Sequence, residues 1–262
     1  VLAARPYGQK MNEVIGSLAL RCDISRHPLL ARRPVKRTLL VAITADKGLC
    51  GGYNANINRK ALEILQGRNG NGGEPPLEVE MSVISVGRKG RDFLARRKFP
   101  LRAEHVGVYG RINYELARAI GDEVMGAFLG EEVDRVLLLF NEFRSLLIQR
   151  VTLRELLPMT PPSPPEIPDE RGGKVEVDFL YEPDPEAILN SLLPRHIYVQ
   201  VYWALLEAEA SEFGARMTAM DNATENAEEM IRSLTLTLNR VRQASITKEI
   251  IEVVSGADSL KG

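Results

Sequence analysis

The chain has little of several features that mark common classes of protein. It has 2 cysteines and 3 histidines among 262 residues, and their scattered positions predict neither a zinc site nor a disulfide framework. Its 34 basic and 35 acidic residues give a formal net charge of −1, so no general attraction to nucleic acid or acidic lipid is expected. The apolar run over 136–140 is among the longest, yet a membrane-spanning helix needs roughly 20 such residues. We expect a protein of a reducing compartment that does not itself cross a bilayer.

The start of the sequence also lacks expected signals. Residues 1–6 have neither the basic start nor the apolar stretch of about 7–15 residues that a secretory signal shows. The chain opens on Val1 within a segment whose apolar spacing predicts a helix over residues 9–20. We therefore expect further residues to precede Val1, and we expect no export.

Alternating strand and helix patterns predict an α/β domain with a partly parallel sheet. The continuous apolar run over 37–44 is typical of a strand buried on both faces. Residues 146–157 permit more than one interpretation, of which a strand is favoured, and the glycine-rich stretch 67–76 and proline-rich stretch 158–165 are predicted to be irregular. The other predicted strands are 79–86, 135–143 and 174–179, and the predicted helices are 53–65, 89–97 and 112–129.

The segment over 194–257 predicts one long helix. Its interior, over 195–255, has no proline and a single glycine, Gly214, while good helix formers predominate. A separate short helix is predicted from Asp184 to about Leu193. A helix of roughly 60 residues extends on the order of 90 Å, whereas a compact chain of this length has a diameter of roughly 45–50 Å. The helix is therefore expected to protrude.

Apolar residues along this helix predict a coiled-coil seam. They recur at alternating spacings of three and four residues, which is the pattern of a left-handed coiled coil. The N-terminal helix, with whatever precedes it, is the candidate to pack antiparallel on the seam. Beyond Ala244 a second apolar stripe, which includes Ile246, Ile250 and Val254, predicts a tip that needs a surrounding sleeve. The seam residues are Met217, Met220, Thr224, Ala227, Ile231, Leu234, Leu238 and Val241.

The distribution of charge also differs between the two ends of the long helix. Acidic residues predominate over 207–229 and basic residues beyond Arg232, so each end of the helix is expected to meet a different partner.

We predict three regions along the chain. Residues 1–34 form an N-terminal helix and joint, residues 35–183 a Rossmann-like foot domain, and residues 184–262 the shaft and tip.

A glycine-rich turn lies between the first strand and the next helix, where backbone N–H groups could hold phosphate. It matches neither GxGxxG nor GxxxxGK[ST], and a tight turn that lets the helix pack closely on the sheet is the favoured interpretation. No histidine adjoins Cys50 to support a nucleophile, and we predict no catalytic residue, metal or cofactor. The turn residues are Asp46, Lys47, Gly48, Cys50, Gly51 and Gly52.

Two other functions stay open at this point. A phosphate- or nucleotide-binding α/β enzyme with a helical oligomerisation arm would give the turn a ligand. A coiled-coil scaffold that binds nucleic acid through a basic face would have an affinity that falls steeply with salt.

Three long strings of sequence closely resemble the gamma subunit of rotary ATP synthases. They are ITADKGLCGGYN at 43–54, RMTAMDNATEN at 216–226 and NRVRQASITKEI at 239–250, in the order and spacing of that family. The resemblance implies a long antiparallel coiled coil of the N- and C-terminal helices with an α/β domain at its foot. The first several dozen residues of the family, which include basic shaft positions, have no counterpart here.

The resemblance also implies a function. It implies a non-catalytic central-stalk rotor whose tip turns inside a hexamer of alpha and beta subunits, while its foot contacts the epsilon subunit and the membrane-embedded c-subunit ring. Ion flow would then be coupled to ATP synthesis or hydrolysis, at the cytoplasmic face of a bacterial inner membrane, with no nucleic acid and no small-molecule ligand. The matching positions imply that Arg242, Gln243 and Thr247 contact the catch loop of the catalytic subunits, and that Ile246, Ile250 and Val254 form the lubricated tip.

Overall fold

A computed structural model describes residues 5–19, 27–67, 79–161, 166–168, 174–176 and 184–259. Contacts within the chain divide it into two compact units, residues 1–217 and residues 218–262. The sequence-based boundaries at 34 and 183 stay a prediction. Most of the predicted glycine-rich loop, half of the proline-rich stretch and residues 177–179 of the last predicted strand lie outside the described residues.

The first unit is built on a five-stranded mixed sheet with the order β3-β2-β1-β4-β5. Strands β1, β2, β3 and β4 run parallel, and β5 pairs antiparallel with β4 at one edge. This confirms the predicted α/β class and the partly parallel sheet. The strands are β1 Arg37–Ile43, β2 Glu80–Val86, β3 Leu101–His105, β4 Arg135–Phe143 and β5 Gln149–Leu157, and a separate pair joins β6 Glu166–Pro168 to β7 Lys174–Glu176.

The central strand β1 is apolar from Leu39 to Ile43. Leu39, Val41 and Ile43 belong to the core on one face of the sheet, whereas Leu40 and Ala42 belong to the core on the other face. Successive side chains of a strand point to opposite faces, so a strand covered by helices on both sides favours apolar residues at consecutive positions.

Helices cover both faces of the sheet. Helices α2 and α3 supply Ile57, Ala61 and Leu94 to one core, while helices α1, α4 and the beginning of α5 contribute to the other. The first turn of α4 is capped by Asn113, whose Oδ1 accepts a hydrogen bond from the Leu116 amide at 2.9 Å. The helices are α1 Arg5–Ala19, α2 Tyr53–Leu65, α3 Arg88–Arg96, α4 Tyr114–Leu129 and α5 Pro185–Ser259, with a short 3-10 helix at Pro28–Leu30.

Helix α5 corrects one expectation from the sequence. A break near Leu193 is wrong, because α5 continues through Pro194 as one helix of 75 residues. Proline removes one backbone donor and crowds the preceding turn, but residues on both sides of it are fixed by the core. Leu189, Leu193 and Ile197 are buried at successive turns of the same face, and this burial keeps the two segments in line.

Candidate functional site

Asp46 organises the carboxyl-terminal edge of the sheet, at the turn that follows β1. Its Oδ1 accepts hydrogen bonds from the amides of Arg88 at 3.0 Å and Gly107 at 2.9 Å, and its Oδ2 accepts one from the Tyr109 amide at 3.2 Å. Burial raises the pKa of Asp46, but the backbone N–H groups outweigh burial and hold the pKa below its usual value. One carboxylate thereby ties together the loops that follow three parallel strands.

The turn itself is held by Asn54 in the first turn of α2. Its Oδ1 accepts from the Ala45 amide at 2.9 Å, and its Nδ2 donates to the Lys47 carbonyl at 3.3 Å and the Cys50 sulfur at 3.1 Å. Gly51 has a φ of 53°, a conformation that favours glycine. The prediction of a tight turn therefore accounts for Gly51.

Two further glycines, which the sequence analysis does not single out, allow close packing of helix α3 beside the turn. A Cβ atom on Gly87, which has a φ of 91°, would lie 1.9 Å from the Thr44 carbonyl oxygen, and one on Gly90 would lie 2.7 Å from Thr44 Oγ1. By contrast, a Cβ atom on Gly48 would find its nearest neighbour at 3.8 Å. The residues that bring α3 close to the sheet are therefore Gly87 and Gly90.

This edge of the sheet is also joined to helix α5 by hydrogen bonds. The Tyr53 hydroxyl donates to the Ala208 carbonyl at 2.9 Å, and Glu209 Oε1 accepts from the Gly110 amide at 2.8 Å. One turn further along, Arg216 pairs with Glu212 and donates to the Gly48 carbonyl at 3.4 Å. We call Asp46, Tyr53, Glu209, Glu212 and Arg216 the collar.

Two buried polar residues of α5 add to these bonds at the end of β4. Glu207, fully buried, accepts a hydrogen bond from the Phe143 amide at 2.8 Å. Ser211 Oγ donates to the Asn141 carbonyl at 3.0 Å. A buried polar group without a partner costs about 1–3 kcal/mol. These bonds therefore favour the one position of α5 in which each group has its partner. They fix the rotation of α5 about its own axis relative to the sheet.

The collar changes two expectations from the sequence. Glu207, Glu209 and Glu212 were counted as acids that await an outside partner, yet each bonds within this chain. The sequence does not single out Glu207, Glu209 and Arg216 for this role, because their partners at the edge of the sheet are 64 to 168 residues away in sequence. The available signal was the placement of Glu207 and Glu212 on the apolar face of an otherwise amphipathic segment.

The turn does not have the chemistry of a phosphate site. The Asp46 carboxylate already accepts the amides that converge on this edge, and Glu209 and Glu212 add negative charge nearby. Burial and the charge of Glu212 raise the pKa of the Cys50 thiol, which is the opposite of what a nucleophilic cysteine requires. Among the described residues no group of three or more metal-ligating side chains comes together.

Beyond the collar, the seam and tip residues of α5 are exposed. Every residue over 220–257 is exposed in this chain, and Met217, Leu238 and Ile250 have exposed fractions of 55%, 67% and 58%. Apolar patches of this extent mark surfaces that bind partners. We call the exposed apolar residues of α5 from Met217 to Val254, which include both the predicted seam and the predicted tip, the stripe.

The tip has a mixed polar surface beside the stripe. Thr247 donates its hydroxyl to the Gln243 carbonyl one turn back at 2.8 Å, and Thr224 and Thr235 make the same bond to Met220 and Ile231. A threonine bonded in this way has its donor satisfied by its own helix. Arg242 has no carboxylate partner within ion-pair distance among the described residues, unlike Lys248, which lies 3.6 Å from Glu252.

Comparison with known proteins gives consistent matches along the chain. The ATP synthase family model matches residues 1–260. The ATP synthase gamma chain of Geotalea daltonii is 44% identical over 262 residues, which are 100% of this chain and 87% of that protein. The ATP synthase gamma chain of Halothermothrix orenii is 44% identical over 261 residues, covering 98% and 86%.

Solved structures agree on the fold. A chain of the Tetrahymena thermophila mitochondrial ATP synthase central stalk and c-ring matches with a TM-score of 0.54 and 26% identity, covering 85% of this chain and 98% of that one. A chain of the Euglena gracilis mitochondrial ATP synthase matches with a TM-score of 0.64 and 18% identity, covering 98% and 91%. Within the described part of the chain, no helix has the length and apolar character needed to cross a membrane.

Proposed function

Because the chain belongs to the ATP synthase gamma chain family, we propose that it is the rotor subunit of the central stalk. In this role it couples ion flow through the membrane-embedded c-subunit ring to ATP synthesis or hydrolysis in the surrounding hexamer of alpha and beta subunits. The foot domain contacts the ring and the epsilon subunit. The chain is a peripheral subunit at the cytoplasmic face of the membrane.

The exposed stripe is the observation that carries this proposal. A helix segment with exposed Ile231, Leu234, Leu238 and Val241 is unfavourable in water, since each fully buried aliphatic side chain gains about 1.5–3 kcal/mol relative to exposure. The seam spacing calls for a second helix, and the tip beyond Ala244 calls for a sleeve. A cavity at the centre of a hexamer supplies such a sleeve.

The collar supports a mechanical role for the junction between foot and shaft. Hydrogen bonds donated by Tyr53 and Ser211, and others accepted by Glu207 and Glu209, join α5 to the edge of the sheet. Torque applied to the foot therefore reaches the helix through directional contacts and not through apolar packing alone. An asymmetric rod that turns within the hexamer then changes the relative energies of the open and closed states of each catalytic subunit.

The tip residues take the roles that the family resemblance implies. Arg242, Gln243 and Thr247 contact the catalytic subunits, and Ile246, Ile250 and Val254 form a surface with little directional bonding. The Thr247 hydroxyl already donates its hydrogen bond to its own helix, so Thr247 would contact a partner as an acceptor or through its methyl group. The chain itself is non-catalytic in this proposal, which the use of Asp46 to bind backbone amides supports.

Reconstitution tests this function. The full chain is coexpressed with the alpha and beta subunits of its source, and a probe on the foot domain reports rotation of single complexes during ATP hydrolysis. We expect the chain to enter the hexamer and the probe to turn in one direction. A chain that purifies apart from alpha and beta, and that binds nucleotide by itself, would instead support the α/β enzyme.

A further inference from the structure

A polar cleft lies away from the collar and the stripe, between helix α1, strand β5 and the early turns of α5. Its volume is about 210 Å³, enough for a small organic molecule or several waters. The residues that line it take no part in the hydrogen bonds between α5 and the carboxyl-terminal edge of the sheet, and none of them lies in the exposed part of α5. The polar residues along it are Asn12, Arg154, Glu155, Thr160, His196 and Gln200.

Arg154 is the only basic side chain among these that is charged at neutral pH. Its guanidinium carbon lies 4.4 Å from the centre of the Trp203 ring, and the residue is half-buried. Burial lowers the pKa of Arg154, while the charges of Glu142 and Glu207 partly oppose this. No carboxylate of the described residues lies within ion-pair distance of it. Glu142 and Glu207 act on Arg154 only from beyond ion-pair distance, so an anion in the cleft would stabilise its partly desolvated charge further.

Gln200 and His196 complete a fixed chain of hydrogen bonds. Arg154 Nη1 donates to Gln200 Oε1 at 2.7 Å, so the Gln200 amide nitrogen is the group that faces His196 Nε2 at 3.3 Å. The amide nitrogen donates, and His196 is therefore neutral with its proton on Nδ1. His196 adds no second positive charge to the cleft.

The remaining polar groups suit an oxyanion. Asn12 and Thr160 supply an amide and a hydroxyl at the cleft, and both can donate hydrogen bonds. Glu155 also lines the cleft, but it is exposed to water, whereas Arg154 is half-buried. The charge nearest the buried end of the cleft is thus that of Arg154.

We propose that this cleft binds a small oxyanion, either inorganic phosphate or a carboxylate of similar size, with Arg154 as its charge partner. A guanidinium binds both classes through two parallel N–H donors. Asn12, Gln200 and Thr160 supply the polar surroundings. This site does not depend on the rotor function.

Trp203 provides the test, because it is the only tryptophan of the chain and lies against Arg154. The purified full chain is titrated with phosphate, acetate and succinate, and with chloride at matched ionic strength. We expect a saturable change in fluorescence with phosphate or with a carboxylate, and none with chloride. Whichever anion saturates identifies the source of the ligand.

Variants measured by calorimetry assign the site. Arg154→Gln should weaken binding at least tenfold, because it removes the charge and the two donors. Arg150→Gln, on an exposed position of the same strand, should leave the affinity unchanged. Arg154→Lys keeps the charge and should weaken binding severalfold.

Two results would overturn the proposal. One is the absence of saturable binding of all three oxyanions to the wild-type chain, a result that does not require any variant to fold. The other is an Arg154→Lys or Arg154→Gln chain that binds with the wild-type affinity.

Discussion

Single polar residues in this chain join segments that are far apart in sequence. Asp46 accepts amides from Arg88, Gly107 and Tyr109, and hydrogen bonds to a charged group contribute about 1.5–3 kcal/mol. We expect Asp46→Asn to lower the free energy of unfolding by about 2 kcal/mol. Urea denaturation measures this change, and Asp221→Asn, at an exposed position of α5, should stay within about 0.5 kcal/mol of wild type.

The same residue has a defined pH dependence. Because the folded pKa of Asp46 lies below its usual value of 3.8, its stabilisation is fully present above that pH and is lost as the pH falls through the folded value. The difference in stability between wild type and Asp46→Asn should therefore be constant from pH 5 to 8. A difference that disappears at pH 5 would contradict this assignment.

Burial of His196 makes the stability of the chain depend on pH. Burial, and then the charge of Arg154, lower its pKa from 6.5 to about 4. Between these values the unfolded chain binds a proton and the folded chain does not, so stability falls as the pH is lowered from 6.5 towards 4. From the two values we expect a loss of about 2 kcal/mol between pH 7.5 and pH 5.

Denaturation of His196→Asn at both pH values isolates this effect. The loss of stability on acidification should be about 2 kcal/mol smaller in the variant than in wild type. An equal loss in the two proteins would show that His196 is protonated in the folded chain.

At the scale of the elements, helix α5 contains a proline whose buried neighbours keep the backbone helical. Pro194 lies inside the helix, where proline is about 3 kcal/mol less favourable than alanine. Its neighbours Leu193 and Ile197 are fully buried and hold the backbone helical. We expect Pro194→Ala to raise the free energy of unfolding by about 1–3 kcal/mol.

Arg195→Ala is the matched control for this prediction, since Arg195 is exposed on the next position and should change stability by less than about 0.5 kcal/mol. Chemical denaturation of both variants makes the comparison. If Pro194→Ala destabilised the chain, the proline ring would have to be part of the packing against the core.

The elements also show what sequence patterns can predict. Strand β4 has the predicted bounds, because its continuous apolar run is long and bounded by charged residues. Strand β3 was missed, since Leu101–His105 is short and only half-buried at the sheet edge. The break before Pro194 was wrong because a local helix breaker was overruled by tertiary burial.

The hydrogen-bond partners of the collar residues could not be predicted from the sequence, for a related reason. The string over 43–54 was recognised, but the partners of Asp46 and Tyr53 are fixed only once the strands are side by side. Periodicity shows which face of α5 is apolar, and it does not show that Glu207 accepts the Phe143 amide. The stripe was predictable because a seam needs only spacing along one helix.

At the scale of the whole molecule, the chain has a self-sufficient first unit and an exposed helix. The two cores on either side of the sheet account for the stability of the first unit. The exposed stripe has no such burial in this chain, and helical propensity alone is a weak source of stability. The account therefore depends on burial of this helix by other subunits.

Cysteine labelling of the tip tests that claim most directly. In a chain with Cys22 and Cys50 replaced by serine, Ile246→Cys and Val254→Cys are reacted with a maleimide, first in the free full chain and then in its complex with alpha and beta. The account predicts rapid labelling of the free chain and at least tenfold slower labelling in the complex. Equal labelling rates in the free chain and in an assembled complex would contradict burial of the tip inside the hexamer.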